Sequence, residues 1–104
     1  MTNVVFYEKD EKLIGFLIKD HSGYEEEGYD IVCASVSSAA YLTANTLTEI
    51  VGAKAEIDLR EAYFRFMLRD KLEESENHLK GLKLHLESLA GDYKEYITCK
   101  TETV

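Results

Sequence analysis

The sequence predicts an α+β sandwich in which two helices pack on one face of a mainly antiparallel sheet, in the order ββαββαβ. Apolar residues cluster or alternate in five short segments, as in strands, and recur at spacings of three and four in two longer segments, as in helices. The chain has 104 residues, which suits a single domain. Proline is absent and there are only six glycines. The secondary-structure elements are therefore assigned from hydrophobic periodicity and not from residues that interrupt helices and strands.

The first two strands are predicted at residues 2 to 8 and 11 to 19. Both segments are rich in Val, Ile, Phe, Tyr and Leu, and the polar pair Lys9-Asp10 lies between them, which indicates a hairpin. Residues 21 to 28, HSGYEEEG, hold two of the glycines and lack apolar periodicity. We therefore expect a mobile loop there.

The first helix is predicted from Asp30 to Ile50. Asp30 suits the N-cap position, and Gly52 suits the end of the helix. The apolar positions recur at helical spacing: Val32, Val36, Ala39, Ala40, Thr43, Leu47 and Ile50. Residues 34 to 40 are almost all small, which allows a sheet or a second helix to approach closely.

A second hairpin is predicted at residues 54 to 60 and 62 to 69, with its turn at Arg60-Glu61. The alternation in these strands offers five side chains to the core: Ile57, Leu59, Phe64, Phe66 and Leu68.

The second helix is predicted at residues 71 to 91, ending at Gly91, and a last strand at residues 93 to 101. The helix carries one apolar stripe on an otherwise charged surface: Leu72, Leu79, Leu82, Leu86 and Leu89. Because no linker, repeat or low-complexity tract interrupts the pattern, we expect residues 1 to 104 to form one domain.

The charge balance restricts the expected partners. There are 20 acidic and 12 basic side chains, a formal net charge of -8. Nucleic acids and anionic membranes select for clustered lysine and arginine, so direct binding to either is not expected. The sequence shows neither a secretory signal nor the roughly 18 apolar residues of a membrane helix, which predicts a cytoplasmic protein.

Cys33 is the candidate nucleophile. With Asp30 as N-cap, Cys33 would be about the third helical residue, where the helix dipole lowers a thiol pKa from about 8.5. The N–H groups of that first turn could also hold an oxyanion. A buried cysteine equally packs as a small hydrophobe, and this alternative stays open for Cys33. Cys99, in the last strand, is expected to be packing.

A cysteine nucleophile needs a base, and His21 is the candidate because the loop it begins leads to the helix carrying Cys33. Asp30 has two interpretations, helix cap or orienter of His21. Ser37, one turn after Cys33, could donate a hydrogen bond into the site or simply pack.

The other histidines do not indicate a metal site. His78 and His85 are seven residues apart on the second helix, about 10 Å along its axis, which is too far to share one ion. The two cysteines are not in a CxxC spacing and could form one bridge at most. We therefore expect no metal and no other cofactor.

The segment HSGYEEEGYDIVCASVS, residues 21 to 37, resembles the signature of the Prp family of ribosomal-processing cysteine proteases. That pattern has a glycine-histidine pair, a loop with Gly-Tyr and Tyr-Gly elements, then Asp-Ile-Val-Cys-Ala and a later serine. The matching positions are His21, Gly23, Tyr24, Gly28, Asp30, Ile31, Val32, Cys33, Ala34 and Ser37. Asp20 departs from the pattern, because it stands where the family normally has glycine.

The resemblance implies a cysteine endopeptidase of this fold, with Cys33 as nucleophile and His21 as general base and then acid, acting through an acyl-enzyme. It implies a homodimer whose substrate is a ribosomal protein precursor, the twenty-seventh protein of the large subunit, from which an N-terminal extension is removed. The substrate loop would include Asp20, Ser22, Gly23, Tyr24 and Gly28. The alternative is a non-catalytic ribosome-associated or assembly module whose acidic surface binds a basic ribosomal protein tail.

Overall fold

The computed structural model describes residues 1–20 and 27–104, with the side chains of residues 20 and 27–30 excluded from the description. The elements follow the predicted order ββαββαβ. Their bounds are β1 Thr2–Lys9, β2 Lys12–Asp20, α1 Glu27–Asn45, β3 Ala55–Arg60, β4 Tyr63–Leu68, α2 Leu72–Asp92 and β5 Ile97–Thr103. A π-helical turn, Thr46–Val51, continues α1.

The strands form one five-stranded sheet in the order β3-β4-β2-β1-β5. β1 pairs antiparallel with β2, β2 with β4, and β3 with β4, whereas β5 lies parallel to β1. Both helices pack on this sheet, so the predicted α+β sandwich is confirmed. Neither helix in the described part of the chain is long and apolar enough to cross a membrane.

The core lies between the helices and one face of the sheet. Its centre is Phe16, whose ring stacks on Phe66 at 5.3 Å between centroids and meets Phe64 edge-on at 5.2 Å. The predicted leucine stripe of α2 is confirmed, because Leu79, Leu82 and Leu86 are buried and Leu72 and Leu89 are partly buried against the core.

The two hairpin turns lie one residue later than predicted. Asp10 and Glu11 have φ values of 53° and 66°, as in the two-residue turn that matches the twist of antiparallel strands. Ala62, with a φ of 57°, occupies the β3–β4 turn together with Glu61.

α1 begins earlier than predicted, at Glu27, so Asp30 is not its N-cap. Cys33 is the seventh residue of the helix, about 9 Å along the axis from its start, and not the third. Glu27 suits the positive end of the helix dipole, and one glycine inside a helix costs only about 1 kcal/mol, so Gly28 does not stop it. Residues 27 and 28 are therefore helical, and the rest of the predicted loop lies outside the described residues.

The predicted helix ends differ in their outcome. Gly52 does end the first helical segment, with a φ of 79° and its N–H bonded to the Leu47 carbonyl. The π-helical turn before it is wider than an α-helical turn and rotates the following side chains, so Ile50 is 80% exposed and not part of the core. Gly91 is not the end of α2, because Tyr93 caps it through its N–H to the Leu89 carbonyl. Its turn delays β5.

β3 is less buried than the alternation predicts. Leu59 pairs with the buried Phe64, so its side chain is on the helix-covered face of the sheet. However, β3 is an edge strand that the helices leave partly uncovered, and Ile57 and Leu59 are 49% and 51% exposed. Their prediction as core residues is wrong, whereas Phe64, Phe66 and Leu68 are buried.

Candidate functional site

Cys33 lies on α1 beside the residues that anchor the helix to the core. Val32 and Val36 are buried, and Cys33 is half-buried at the margin of that apolar face. Its Sγ lies 3.4 Å from Oγ1 of Thr2, within hydrogen-bonding distance for sulfur. Because Thr2 is fully buried at the start of β1, this contact fixes the thiol at one end of the sheet.

Three strand ends meet at Thr2. It pairs with Asp20, the last residue of β2, and with Ile97, the first residue of β5. The chain thus leaves β2 directly beside the residue that contacts the thiol. His21 follows Asp20 in the sequence and lies outside the described residues, as do the loop candidates Ser22, Gly23 and Tyr24.

The other predicted site residues lie on α1. Asp30 and Gly28 are in its first turn, ahead of Cys33. Ser37 is half-buried one turn beyond Cys33, on the same face of the helix, since residues four apart are neighbours on a helical surface.

Ser37 lines a cleft of about 130 Å³ between α1 and the tip of the β3–β4 hairpin, which we name the α1–hairpin cleft. Its lining residues are Ile18, Ser37, Tyr41, Leu59, Arg60, Ala62, Tyr63 and Phe64. Of these residues, only Ser37 was predicted from the sequence as a site residue. The spacing of eight from Cys33 to Tyr41 is a signal that could have found Tyr41, but the hairpin residues reach the cleft only through the sheet pairing.

The charge in this cleft is largely compensated. Arg60 is the one charged residue among the described side chains that line it. Its guanidinium lies 4.0 Å from the centroid of the Tyr63 ring, and its Nε donates to Oδ1 of Asp58 at 3.0 Å. The cleft therefore combines aromatic and aliphatic side chains with the hydroxyls of Ser37, Tyr41 and Tyr63 and the guanidinium of Arg60.

Cys99 occupies a different environment. It is next to Val4 in the β1–β5 pairing and packs against the core, as predicted. Burial, with a smaller contribution from the Glu87 carboxylate, raises the pKa of the Cys99 thiol from 9.0 to about 11. Cys99 is therefore a neutral thiol at physiological pH.

A larger depression, of about 1040 Å³, separates α1 from α2 on another face of α1, and we name it the α1–α2 groove. None of the described residues that line it is acidic or a lysine or arginine. Both His78 and His85 lie in it and are exposed. Within the described ranges, no three His, Cys, Asp or Glu side chains come together as a metal site.

The family model for cysteine protease Prp matches residues 1–98. The ribosomal processing cysteine protease Prp of Bacillus subtilis (strain 168) is 24% identical over 102 residues, which is 91% of each chain. The fold is similar to that of an essential ribosomal processing protease Prp from S. aureus, solved with a substrate peptide. The TM-score is 0.89 at 22% identity, over 98% of this chain and 100% of that one.

A Streptococcus mutans structure has the same fold, with a TM-score of 0.82 and 22% identity over 100% of this chain and 96% of that one. The family match extends over nearly the whole chain and confirms the resemblance first seen in residues 21 to 37. The chain therefore belongs to the cysteine protease Prp family.

Proposed function

We propose that this cysteine protease removes the N-terminal extension of the twenty-seventh protein of the large ribosomal subunit, with Cys33 as nucleophile and His21 as its base. The observation that carries the proposal is the contact of Cys33 with Thr2, whose cross-strand partner Asp20 directly precedes His21. His78 and His85 are poorer candidates because they lie in the α1–α2 groove, on a different face of α1 from Ser37.

The reaction follows from these roles. His21 takes the proton of Cys33, and the thiolate attacks the scissile carbonyl to form a tetrahedral intermediate. His21 then protonates the departing amine, which leaves the extension bound to Cys33 as a thioester, and water releases it.

The donors to the oxyanion differ from the sequence expectation. Cys33 is the seventh residue of α1, beyond the first turn in which backbone N–H groups lack helical partners. We therefore expect the groups that donate hydrogen bonds to the oxyanion to lie outside the first turn of α1. Asp30 and Ser37 keep supporting roles. The substrate-binding segment comprises Asp20 at the end of β2, residues 22 to 26, and Gly28 in the first turn of α1.

The name of the B. subtilis relative and the peptide complex of the S. aureus protein support a ribosomal protein precursor as substrate. A net charge of -8 suits a precursor that is basic beyond the cut, because opposite charges accelerate encounter. With such a substrate, the reaction belongs in the cytoplasm. A non-catalytic module binding a basic ribosomal tail does not suit a chain of a protease family.

We also propose that the protein is a homodimer and that its subunits contact each other through the α1–α2 groove. Ile31 and Leu42 are 62% and 70% exposed there, although 31% of the chain is charged and no charged side chain lines the described groove. Contiguous exposed apolar surface of this kind marks protein interfaces. Small residues on both helices, such as Ala34 and Gly81, allow the backbones of two subunits to approach closely.

The test is proteolysis of the extended ribosomal protein from the same genome, followed by mass spectrometry. The unaltered protein should give one shortened product, and a precursor without its extension should stay intact. Cys33→Ala and His21→Ala should abolish cleavage, whereas Cys99→Ala should retain it. Cleavage that persists in Cys33→Ala would contradict the assignment of the nucleophile.

A further inference from the structure

The α1–α2 groove contains two of the three histidines of the chain. His78 and His85 are both exposed on α2, about two helical turns apart, so they share one face of the helix. Gly81 lies between them, and a Cβ added there would meet nothing within 4 Å outside its own helix turn. This histidine face is distinct from the buried leucine stripe that packs α2 against the core.

The other wall of the groove is formed by α1 and carries no charged side chain among those described. Lys71, just before α2, donates to the Val51 carbonyl after α1, which places His78 toward the end of α1 and His85 toward its start. The residues of α1 that line the groove are small, apolar or hydroxyl-bearing: Ile31, Ala34, Ser35, Ser38, Ala39, Leu42, Thr43 and Thr46.

Charged side chains of the described residues flank the groove but do not line it. Glu74 precedes His78 by one turn of α2, and Glu49 lies in the π-helical turn after α1, and both are exposed. The other charged residues in this part of α2 are engaged elsewhere: Glu76 pairs with Lys80 at 3.5 Å, and Lys83 and Glu87 act on the thiol of Cys99. No described carboxylate therefore lies in the groove to pair with a protonated imidazole.

A second copy seated on this groove changes the surroundings of the imidazoles. Each copy has a net charge of -8, so two copies repel each other least where the contact surface is uncharged. A two-fold symmetric contact brings the same residues of both subunits together, which places four imidazoles in the interface. An unpaired charge is costly to remove from water, so the dimer favours neutral imidazoles, whereas the exposed imidazoles of the monomer take up protons freely.

We propose that protonation of His78 and His85 dissociates the dimer, so that the α1–α2 groove is a pH-sensitive interface. This inference rests on the proposed homodimer through that groove. Histidine is the side chain whose charge ordinarily changes between about pH 5 and 8. Because the dimer binds fewer protons than two monomers, the dimer is most stable above about pH 7 and weakens as the pH falls through about 6.5.

The test is the dissociation constant of the dimer, measured by sedimentation equilibrium at pH 7.5 and pH 5.5. EDTA is present throughout so that no metal ion bridges imidazoles, and circular dichroism confirms that the protein is folded at both pH values. Each proton that the interface excludes weakens association about tenfold at one pH unit below 6.5. With one to two protons excluded per dimer, we expect the dissociation constant to rise about 10- to 100-fold from pH 7.5 to pH 5.5.

Two double variants separate charge from shape. His78→Gln with His85→Gln keeps neutral polar side chains in the groove and should give a dimer whose dissociation constant is nearly the same at both pH values. His78→Lys with His85→Lys places permanent charges there and should give monomers at both. The matched control is His21→Gln, which removes the third histidine of the chain and should keep the pH dependence of the unaltered protein.

The possible outcomes distinguish this inference from the proposed homodimer. A protein that is monomeric at both pH values would overturn the homodimer and the histidine inference with it. A dimer with the same dissociation constant at both pH values, or with a pH dependence that persists in the glutamine double variant, would overturn the histidine inference alone. Failure of the glutamine double variant to dimerise at pH 7.5 would also overturn it, because the effect would then come from shape and not from charge.

Discussion

Replacing Thr2 with valine removes the hydroxyl that lies 3.4 Å from Sγ of Cys33 and preserves the shape of the side chain. When Cys33 is a thiolate, only the threonine can be the donor in this pair, and its hydrogen bond stabilises the charged form of the thiol. Loss of that donor is therefore expected to raise the pKa of Cys33. Thr2 is fully buried, so water cannot easily take the place of the hydroxyl.

The size of the expected pKa change follows from the free energy that a hydrogen bond to a charged group contributes, about 1.5 to 3 kcal/mol. One pKa unit corresponds to about 1.4 kcal/mol, so Thr2→Val should raise the Cys33 pKa by roughly one to two units. At pH values below the pKa of the thiol in both proteins, the alkylation rate of Thr2→Val should be about tenfold lower or more, and the two rates should converge at high pH.

The assay is the rate of iodoacetamide alkylation of Cys33 from pH 5 to 10, read by mass spectrometry, with circular dichroism to confirm that the variants fold. Thr2→Ser keeps the hydroxyl and should keep the pH profile. A Thr2→Val profile that superposes on that of the unaltered protein would refute the argument that Thr2 stabilises the thiolate.

Three further predictions concern the dimer, the core and the second thiol. Leu42→Glu, in the α1–α2 groove, should give monomers in analytical ultracentrifugation, whereas Leu84→Glu, equally exposed at 70% but outside the groove, should not. Gly15→Ala should lower the urea unfolding free energy by about 3 kcal/mol, since its Cβ would overlap a β4 carbonyl, but Gly91→Ala should be neutral or slightly stabilising. Cys99, with its pKa raised to about 11, should resist alkylation at pH 7 and react only as the pH approaches that value.

Local patterns in the sequence were enough to predict most of the fold. Alternation and helical spacing are properties of neighbouring residues, so the strands, the leucine stripe of α2 and the end of the first helix at Gly52 could be predicted. The start of α1 could not, because Asp30 is a good N-cap residue and also a tolerable interior one. The exposure of Ile57 and Leu59 depends on how far the helices extend across the sheet, which alternation does not record.

The candidate site was also only partly predictable from the sequence. Ser37 could be placed beside Cys33 because four residues make about one helical turn. Thr2 could not, because its contact with Cys33 joins residues 31 positions apart and depends on where α1 crosses the sheet. The hairpin side of the cleft could not be predicted from the sequence for the same reason. Leu59 reaches α1 only through the pairing of β3 with β4.

The covalent intermediate on Cys33 can be observed directly. The extended ribosomal protein would be mixed with an excess of enzyme, quenched in acid at short times, and digested for mass spectrometry. We expect a transient adduct on Cys33 whose mass equals the released N-terminal fragment less one water, with no adduct in Cys33→Ala. Cleaved product that accumulates without an adduct, or with the fragment attached to another residue, would contradict it.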